Sequence, residues 1–273
     1  MKTIILHSQD MEMAKLVSQH IDASIQRKRT HCRFTTNKVI DLDALRQRFK
    51  LDFNFVPEHF STDQTALFVS DMDSTLINIE CVDEIADFAN LKPQVAAITE
   101  RAMQGELDFD SSLIERVALL KGLSVSVLDK VYTEKLQVNP GGQSLLNFLQ
   151  SKKIKSAVVS GGFTYFTNRL SEDLGLDYSR ANVLAVEEGC LNGKMQGDII
   201  NAQAKADFIN ELCELNSINT SQVIAIGDGA NDLAMLKVAG LSIAYHAKPI
   251  VTKQADIAIN VGGLDKIMDL FDE

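Results

Sequence analysis

Three short apolar runs, far apart in the chain, are each followed at once by polar residues that can carry chemistry. The runs are Ala66–Ser70, Ser156–Ser160 and Gln222–Ile226, and the segments at their ends are Asp71-Met72-Asp73-Ser74-Thr75, Ser160-Gly161-Gly162 and Gly227-Asp228-Gly229-Ala230-Asn231-Asp232. Nearly continuous apolar runs are typical of parallel strands covered by helices on both faces. Because ligands bind at the carboxyl ends of such strands, we expect the three segments to meet at one rim of a sheet.

The alternation of such runs with helical patterns indicates the fold class. Two further runs, Leu241–Ala244 and Ile257–Asn260, follow the first three, and helix-period stretches separate the runs. This arrangement predicts an α/β fold with a Rossmann-like, doubly wound parallel sheet. Between the second and third runs, Asn182–Ala185 and Cys190–Met195 predict a hairpin with a turn at Asn192-Gly193, or else an irregular loop.

Length, charge and spacing predict how the chain divides into domains. The 273 residues suggest about two domains. Residues 1–65 carry 10 Lys or Arg and 8 Asp or Glu, whereas the remainder carries 17 and 29. About 80 residues separate the first two strand runs, far more than a crossover needs, and residues 80–140 show only helix-period spacing. We predict a small α+β domain over 1–65, a core over 66–79 and 141–273, and a helical cap over 80–140.

The first 65 residues predict a βαββαβ unit. Its segments are the strands Thr3–Leu6, Cys32–Thr35, Lys38–Leu42 and Leu51–Phe55, and the helices Met11–Ile21 and Asp43–Phe49. None of the rim motifs lies in this unit. A regulatory domain and a structural appendage that contributes to a homodimer interface are therefore both open interpretations.

Composition argues against several classes of protein. A net charge of −10 would repel a phosphate backbone, so we expect no nucleic-acid partner. No apolar run approaches the roughly 18 residues of a membrane span, and the first residues are too briefly apolar for a signal peptide. We therefore expect no membrane partner and a cytoplasmic location. The four cysteines are widely spaced, which argues against a disulfide framework or a zinc site.

Asp71 and Asp73 are separated by one residue at the end of a predicted buried strand. Two neighbouring carboxylates suit a reaction in which Asp71 is the nucleophile and Asp73 the general acid. Glycoside hydrolysis usually takes its two carboxyl groups from separate elements, so phosphoryl transfer is favoured. Asp71 and Asp228 also supply the hard oxygen ligands that Mg²⁺ prefers. A lone Asp-x-Asp is equally compatible with a solvated loop.

Ser160, Gly161 and Gly162 lie between a predicted strand and a helical stretch. Backbone amides in that position can bind phosphate oxygens, with the Ser160 hydroxyl as a further donor, although an isolated Ser-Gly-Gly is more often a turn. Lys205 opens the helix before the third strand and could neutralise charge on a transferred phosphoryl group; alone it is an ordinary surface lysine. The chain contains neither a P-loop nor a nucleophile elbow, which excludes those classes.

Taken in order, these motifs resemble the haloacid dehalogenase superfamily of phosphohydrolases over about residues 66–262. The matching residues are Asp71-Met72-Asp73-Ser74-Thr75, Ser160-Gly161-Gly162, Lys205 and Gly227-Asp228-Gly229-Ala230-Asn231-Asp232. The resemblance implies an aspartyl-phosphate on Asp71, with Asp73 protonating the leaving group and then activating water. It further implies roles for other members of the motifs: Mg²⁺ held by Asp71, the Asp73 backbone carbonyl and Asp228, phosphoryl oxygens bound by Ser160, Gly161 and Lys205, and support from Asn231 and Asp232.

Within that superfamily, the cap sequence resembles the phosphoserine phosphatase family. The matching residues are Glu80-Cys81-Val82-Asp83-Glu84, Arg101-Ala102-Met103-Gln104-Gly105, Phe109 and Glu115-Arg116-Val117. The resemblance implies hydrolysis of a small substrate, O-phospho-L-serine, with Arg116 binding its carboxylate and Glu80 its ammonium group. Met103 and Phe109 would cover the site. From the residues alone, surface charges and core side chains would explain these four positions as well.

Two other functions stay open on the sequence. One is a phosphotransferase that passes the phosphoryl group from Asp71 to another alcohol, or a phosphatase acting on another amino-acid-like phosphomonoester. The other is a catalytically dead amino-acid sensor, which is disfavoured because every expected catalytic position is filled. Some bacterial members of the resembled family carry an N-terminal regulatory domain of the ACT-like, ferredoxin-like type, and the βαββαβ prediction for residues 1–65 is compatible with a small version of it; the structural appendage stays equally open.

Overall fold

The computed structural model describes residues 2–103 and 106–271, apart from the side chain of Met103, and contains a smaller and a larger sheet. The smaller sheet and its two helices are β1 (Lys2–Leu6), α1 (Met11–Ile21), β2 (Ser24–Arg27), β3 (Cys32–Thr36), α2 (Leu42–Phe49) and β4 (Phe53–Phe55). The spatial order is β2-β3-β1-β4, with all neighbours antiparallel. This is the split βαββαβ arrangement of ferredoxin-like folds.

One strand predicted in this unit is wrong. The segment Lys38–Leu42 is not a strand, because Asp41 caps α2 by accepting hydrogen bonds from the backbone N–H groups of Asp43 and Ala44. The missing strand is β2, whose four residues Ser24–Arg27 are polar apart from one isoleucine and largely exposed. A polar edge strand gives no apolar run for the sequence to reveal.

The larger sheet has seven strands. They are β5 (Leu67–Ser70), β6 (Lys155–Phe163), β7 (Tyr178–Glu187), β8 (Cys190–Gln196), β9 (Val223–Gly227), β10 (Leu241–Tyr245) and β11 (Ile257–Ile259). Their spatial order is β11-β10-β9-β5-β6-β7-β8. All neighbours are parallel except β7 and β8. The predicted parallel α/β sheet is confirmed, with an antiparallel strand at one edge.

The hairpin of β7 and β8 is present, but the predicted position of its turn is wrong. The turn lies at Glu188-Gly189, where both residues have positive φ, 49° and 78°. Such a turn suits the twist of a two-residue hairpin loop. Asn192-Gly193 lies inside β8 instead. A Cβ on Gly193 would lie 2.9 Å from the Cβ of Lys121, so the glycine allows close approach of another segment.

Between Ile77 and Val138 the described residues form four α-helices: α3 (Cys81–Phe88), α4 (Lys92–Met103), α5 (Phe109–Leu119) and α6 (Ser126–Glu134). We call them the cap. The chain enters and leaves the cap at one place, because Ile77 pairs with Val138 in an antiparallel bridge. The Asn139 side chain strengthens this junction by donating to the backbone oxygens of Thr75 (2.8 Å) and Ile77 (3.0 Å).

The remaining helices cover both faces of the larger sheet. They are α7 (Gly142–Ser151), α8 (Thr164–Leu174), α9 (Ala202–Asn216), α10 (Leu233–Val238) and α11 (Pro249–Thr252). Buried side chains of α7 and α8 pack on one face and those of α9 and α10 on the other. Among the described residues, no helix is long and apolar enough to cross a membrane.

A buried polar cluster joins the two sheets, and we call it the joint cluster. It consists of His7, His31, Arg33 and Asp269, all at most 8% exposed. His7 Nδ1 lies 2.9 Å from one Asp269 oxygen, and His31 Nδ1 lies 3.3 Å from the other. Arg33 donates to His31 Nε2 (3.0 Å) and to the backbone oxygen of Asp269 (3.1 Å). The N-terminal sheet is therefore tied to the last segment of the chain.

The same contact continues along the edge of the larger sheet. The Asn54 side chain on β4 accepts from the backbone N–H of Ala258 and donates to its oxygen, both at 2.9 Å. It thereby occupies backbone groups at the edge of β11. The Asp52 carboxylate accepts from three consecutive N–H groups, those of residues 260–262. Both side chains are buried, so these bonds are shielded from water.

Candidate active site

The carboxyl ends of three neighbouring strands carry the chemistry-bearing residues. β5 has β6 on one side and β9 on the other, and the chain moves to β6 first and returns to β9 later. Such a switch point opens a crevice at the strand ends. Asp71 follows β5, Ser160 lies near the end of β6 and Asp228 follows β9. The structure therefore places the three predicted segments at one rim.

A buried lysine links two of the rim carboxylates. Lys205, in the first turn of α9, is fully buried, and its Nζ lies 2.7 Å from Asp71 Oδ1 and 2.7 Å from Asp232 Oδ1. Burial alone would lower the pKa of Lys205, but the charges of Asp232 and Asp71 raise it above its ordinary value. Burial and the charge of Asp232 raise the pKa of Asp71. The lysine stays charged and fixes one oxygen of each carboxylate.

Asp232 organises the loop that presents Asp228. Its Oδ2 accepts from the backbone N–H groups of Asp228 (3.1 Å) and Gly229 (3.0 Å). A side chain on Gly227 would collide with this carboxylate, which explains the glycine at the end of β9. Burial first, then the charges of Asp232 and Glu80, raise the pKa of Asp228 to about 6. We call Asp71, Lys205, Asp228 and Asp232 the rim cluster.

The rim cluster fits a divalent cation. Single oxygens of Asp71, Asp228 and Asp232 lie within 4.8 Å of one another. Three carboxylates face one lysine, so the cluster carries excess negative charge, and oxygen ligands of this kind suit Mg²⁺. Both oxygens of Asp232 already accept hydrogen bonds. Asp232 is therefore better suited to support the site than to be a principal ligand.

Asp73 lies beside this cluster, with different contacts. Its Oδ1 accepts from the Cys81 backbone N–H at 3.0 Å, and its Oδ2 accepts weakly from the Ser160 hydroxyl at 3.4 Å. Ser160 Oγ itself accepts from the Gly162 N–H at 2.7 Å. Burial first, and then the charge of Glu80, raise the pKa of Asp73 to about 7. A carboxyl group with this pKa can give and take a proton near neutrality.

A cavity of about 310 Å³ lies between the rim and the cap. Nine of the predicted site residues line it: Asp71, Asp73, Glu80, Phe109, Arg116, Ser160, Gly161, Asp228 and Asn231. Lys205 and Asp232 lie behind this wall. The side chain of Met103, the remaining predicted site residue, is outside the described part of the chain. The volume suits a small ligand.

The cap contributes a cation and an anion to the cavity. Glu80, just before α3, accepts from the Ser74 hydroxyl at 2.7 Å. Arg116 on α5 donates its Nε–H to the Ser112 backbone oxygen at 3.3 Å. Phe109 closes the cavity over Gly161, where a Cβ would lie 2.7 Å from the ring. Glycine at 161 therefore permits close approach between core and cap.

Three further polar residues line the cavity, and the sequence assigns none of them a role: Asp83, Thr99 and Lys248. Lys248 follows β10, and its backbone N–H donates to the backbone oxygen of Asp228 at 3.0 Å. The rule that strand ends form the rim could have found it. Asp83 and Thr99 lie within helices. Asp83 belongs to the cap motif that carries the resemblance, but the helical pattern does not indicate that either side chain faces a cavity.

Comparison with known proteins identifies the class to which this fold and rim belong. Residues 65–240 match the model of a haloacid dehalogenase-like hydrolase. The chain belongs to the haloacid dehalogenase-like hydrolases. Several of its relatives carry the name phosphoserine phosphatase. The one from Polaromonas sp. is 53% identical over 209 residues, which span 75% of this chain and 89% of that protein.

Solved structures agree with this placement. A HAD family hydrolase from Salmonella enterica serovar Typhi has a TM-score of 0.91 at 31% identity, covering 99% of this chain and 98% of the other. Because the match covers 99% of this chain, the N-terminal sheet also has a counterpart in the Salmonella protein. A phospho-aspartyl intermediate analogue of phosphoserine phosphatase has a TM-score of 0.71 at 39% identity, covering 76% of this chain and 99% of the other.

Proposed function

We propose that this chain is a Mg²⁺-dependent phosphoserine phosphatase, which hydrolyses O-phospho-L-serine to L-serine and phosphate. One observation carries the proposal: a single cavity brings the core carboxylates Asp71 and Asp73 opposite Glu80 and Arg116 of the cap. The first pair suits phosphoryl transfer and the second suits the two charged groups of an amino acid. The names of the relatives support the same substrate.

In the first step, an oxygen of Asp71 attacks phosphorus and the ester bond to the serine oxygen breaks. Lys205 holds Oδ1 of this carboxylate, and Oδ2 has no hydrogen bond among the described residues, so Oδ2 is the proposed nucleophile. Protonated Asp73 gives its proton to the departing serine oxygen. The products of the step are an aspartyl-phosphate and free L-serine.

In the second step, Asp73 takes a proton from water, which attacks the phosphorus of the aspartyl-phosphate. Phosphate leaves, Asp71 is restored as a carboxylate, and Asp73 is again protonated. One group can do both because its pKa is raised to about 7 by burial and by the charge of Glu80. The Cys81 N–H, which donates to Oδ1, holds the carboxyl group in place for both transfers.

Mg²⁺ would be held by the Asp71 carboxylate, the Asp73 backbone carbonyl and Asp228, with Asp232 supporting the loop. When bound, the ion supplies positive charge that offsets the carboxylates and the substrate phosphate. Burial is the first cause of the raised pKa of Asp228, and the negative charges of Asp232 and Glu80 add to it.

The remaining predicted residues recognise the substrate. The Ser160 hydroxyl and the Gly161 N–H would bind phosphoryl oxygens, and Asn231, which lines the cavity, would contact the phosphate or support the metal site. Lys205 would act on the phosphoryl group through Asp71. Arg116 would bind the substrate carboxylate and Glu80 its ammonium group, while Phe109 and Met103 exclude water.

We also propose domain limits at residues 65, 79 and 140. We further propose a cytoplasmic location, because the four cysteines are free thiols. We propose that residues 1–65 are a regulatory or dimer-forming unit of the ferredoxin-like type. The joint cluster supports a mechanical link between this unit and the core.

The proposal is tested by phosphate release from L-phosphoserine with and without Mg²⁺. Phosphothreonine and a sugar phosphate serve as competitors, and Asp71→Asn as the control. Selective, metal-dependent release that the variant lacks is the expected result. Release from other phosphomonoesters only would refute the substrate, and a second phosphorylated product in the presence of an added alcohol would identify a phosphotransferase.

A further inference from the structure

Asp83 is an unexplained charge in the wall of the active-site cavity. It lies in the first turn of α3 and lines the cavity beside Arg116. Its Oδ1 is buried and has no hydrogen-bond partner among the described residues. A buried carboxylate oxygen without a donor is costly, so its presence at a binding cavity calls for a partner.

The other donors near Asp83 are already engaged. The Thr99 hydroxyl, which also lines the cavity, donates to the Val95 backbone oxygen at 3.1 Å. Lys92 forms an ion pair with Glu84, with 3.6 Å between Nζ and Oε1. Arg116 is the remaining donor. Burial raises the pKa of Asp83, and the positive charge of Arg116 is the largest of the causes that lower it. Conversely, burial lowers the pKa of Arg116, and the negative charge of Asp83 is the largest of the causes that raise it.

The two side chains nevertheless form no ion pair with each other in the described part of the chain. Arg116 has five N–H donors, and only its Nε–H has a described acceptor, the Ser112 oxygen. A substrate carboxylate would take two more in a fork-like contact. Two N–H groups would then remain, and the unpartnered Oδ1 of Asp83 is an acceptor in the same cavity wall.

We propose that Asp83 is the positioning residue for Arg116. When the substrate carboxylate takes one pair of N–H groups, the other pair turns to the unpartnered Oδ1 of Asp83, which then holds the guanidinium group in that orientation. The role rests on the proposed function, because it assumes a substrate that carries a carboxylate. Asp83 itself does not touch the reacting atoms.

The test compares two substrates that differ in one group. L-Phosphoserine carries a carboxylate, whereas phosphoethanolamine has the same ammonium and phosphate groups without it. Asp83→Asn is expected to raise KM for L-phosphoserine by about tenfold, with kcat and the KM for phosphoethanolamine within about twofold of wild type. The matched control is Asp87→Asn, an exposed carboxylate one turn farther along α3, which should leave both substrates unaffected.

Asp83→Glu keeps the charge and should restore most of the affinity for L-phosphoserine. An unchanged KM in Asp83→Asn, an equal rise for both substrates, or no difference between the two variants would overturn the proposal. An equal rise would mean that Asp83 reads the ammonium group directly.

A double-mutant cycle with Arg116→Gln keeps the proposal separate from the identity of the substrate. Midpoints of thermal unfolding for Asp83→Asn, Arg116→Gln and the double variant should be non-additive, because the two charges stabilise each other. If wild type released no phosphate from L-phosphoserine but the midpoints were non-additive, the proposed function would fail and the pairing would stand. Additive midpoints would overturn the pairing.

Discussion

The rim cluster and the joint cluster are both buried groups of charged side chains, yet they differ in how well they are satisfied. At the joint, each ring nitrogen of His7 and His31 and each oxygen of Asp269 has a partner. At the rim, three carboxylates lie close together, one lysine pairs with two of them, and the cavity opens beside them. The joint is a closed structural contact, whereas the rim is incomplete without a ligand.

The pKa directions of aspartates in the two clusters are opposite for this reason. At the joint, burial is outweighed by hydrogen bonds from His31, His7 and Thr30, which hold the pKa of Asp269 well below its ordinary value. At the rim, burial and neighbouring carboxylates raise the pKa values of Asp71 and Asp228. The same residue type stabilises the fold at the joint and destabilises it at the rim, beside the cavity.

The strongest test of this difference removes the cation of the rim. Lys205→Met leaves the buried carboxylates of Asp71 and Asp232 unpaired, so the free energy of unfolding should fall by about 3–5 kcal/mol. Phosphatase activity should fall by a factor of about 1,000 or more. Urea unfolding and phosphate release measure the two effects.

The matched control is Lys155→Met, because the exposed Lys155 forms an ion pair of similar length, 2.6 Å, with Asp177. It should change neither stability nor activity appreciably. A Lys205→Met protein as stable as wild type would show that the rim does not depend on its lysine.

Substitution of Asp228 is expected to raise the free energy of unfolding, whereas Lys205→Met lowers it. The pKa of Asp228 is raised to about 6, so the folded protein holds this proton more tightly than the unfolded chain. The contribution of Asp228 to the free energy of unfolding is therefore fully present below its ordinary pKa of about 4 and is lost as the pH rises through 6. Asp228→Asn should therefore stabilise the metal-free protein at pH 7.5, by at most about 3 kcal/mol. Activity should fall sharply. Unfolding in urea with a chelator measures the effect.

Added Mg²⁺ should reverse the order of stability, since wild type gains binding free energy that the variant lacks. A metal-free Asp228→Asn protein less stable than wild type at pH 7.5 would contradict the strain assigned to the rim.

The smallest effect is expected at the joint. Asp269→Asn weakens bonds to a charged acceptor and should cost about 2 kcal/mol at pH 7, with activity within about twofold of wild type. Because the pKa of Asp269 is lowered, its contribution is present above about pH 4 and is lost as the pH falls further. The stability difference between variant and wild type should thus shrink in acid. A difference that persists at low pH, measured by urea unfolding, would exclude the charge of Asp269 as its source.

The sequence predicts the rim better than the joint, and local pattern explains why. Asp71, Ser160 and Asp228 each follow an apolar strand run, and the topology of a parallel sheet then brings them together. His7 and Asp269 lie at opposite ends of the chain, and no periodicity links them. Their contact depends on how the two sheets pack, which a single sequence does not encode locally.

The local sequence pattern also does not predict the surroundings of two side chains at the site, Lys205 and Asp83. Lys205 was predicted at the site from its place in the motifs, but its complete burial between two carboxylates depends on the packing of α9. Asp83 belongs to a helix whose pattern is dominated by its apolar face. The side of the helix that meets the cavity is set by the cap as a whole, so the role of Asp83 could only emerge from the structure.

The paired entry and exit of the cap allow its length to vary. Because the segments around Ile77 and Val138 are joined by hydrogen bonds, from the Asn78 N–H to the Gln137 oxygen (3.0 Å) and from the Asn139 N–H to the Leu76 oxygen (2.9 Å), the whole cap is an excursion from a closed junction. Doubling the length of such a loop adds only about 0.6 kcal/mol of closure entropy. A cap of another length could therefore replace this one at little entropic cost, and the strand ends that carry Asp71 and Asp228 would stay as they are.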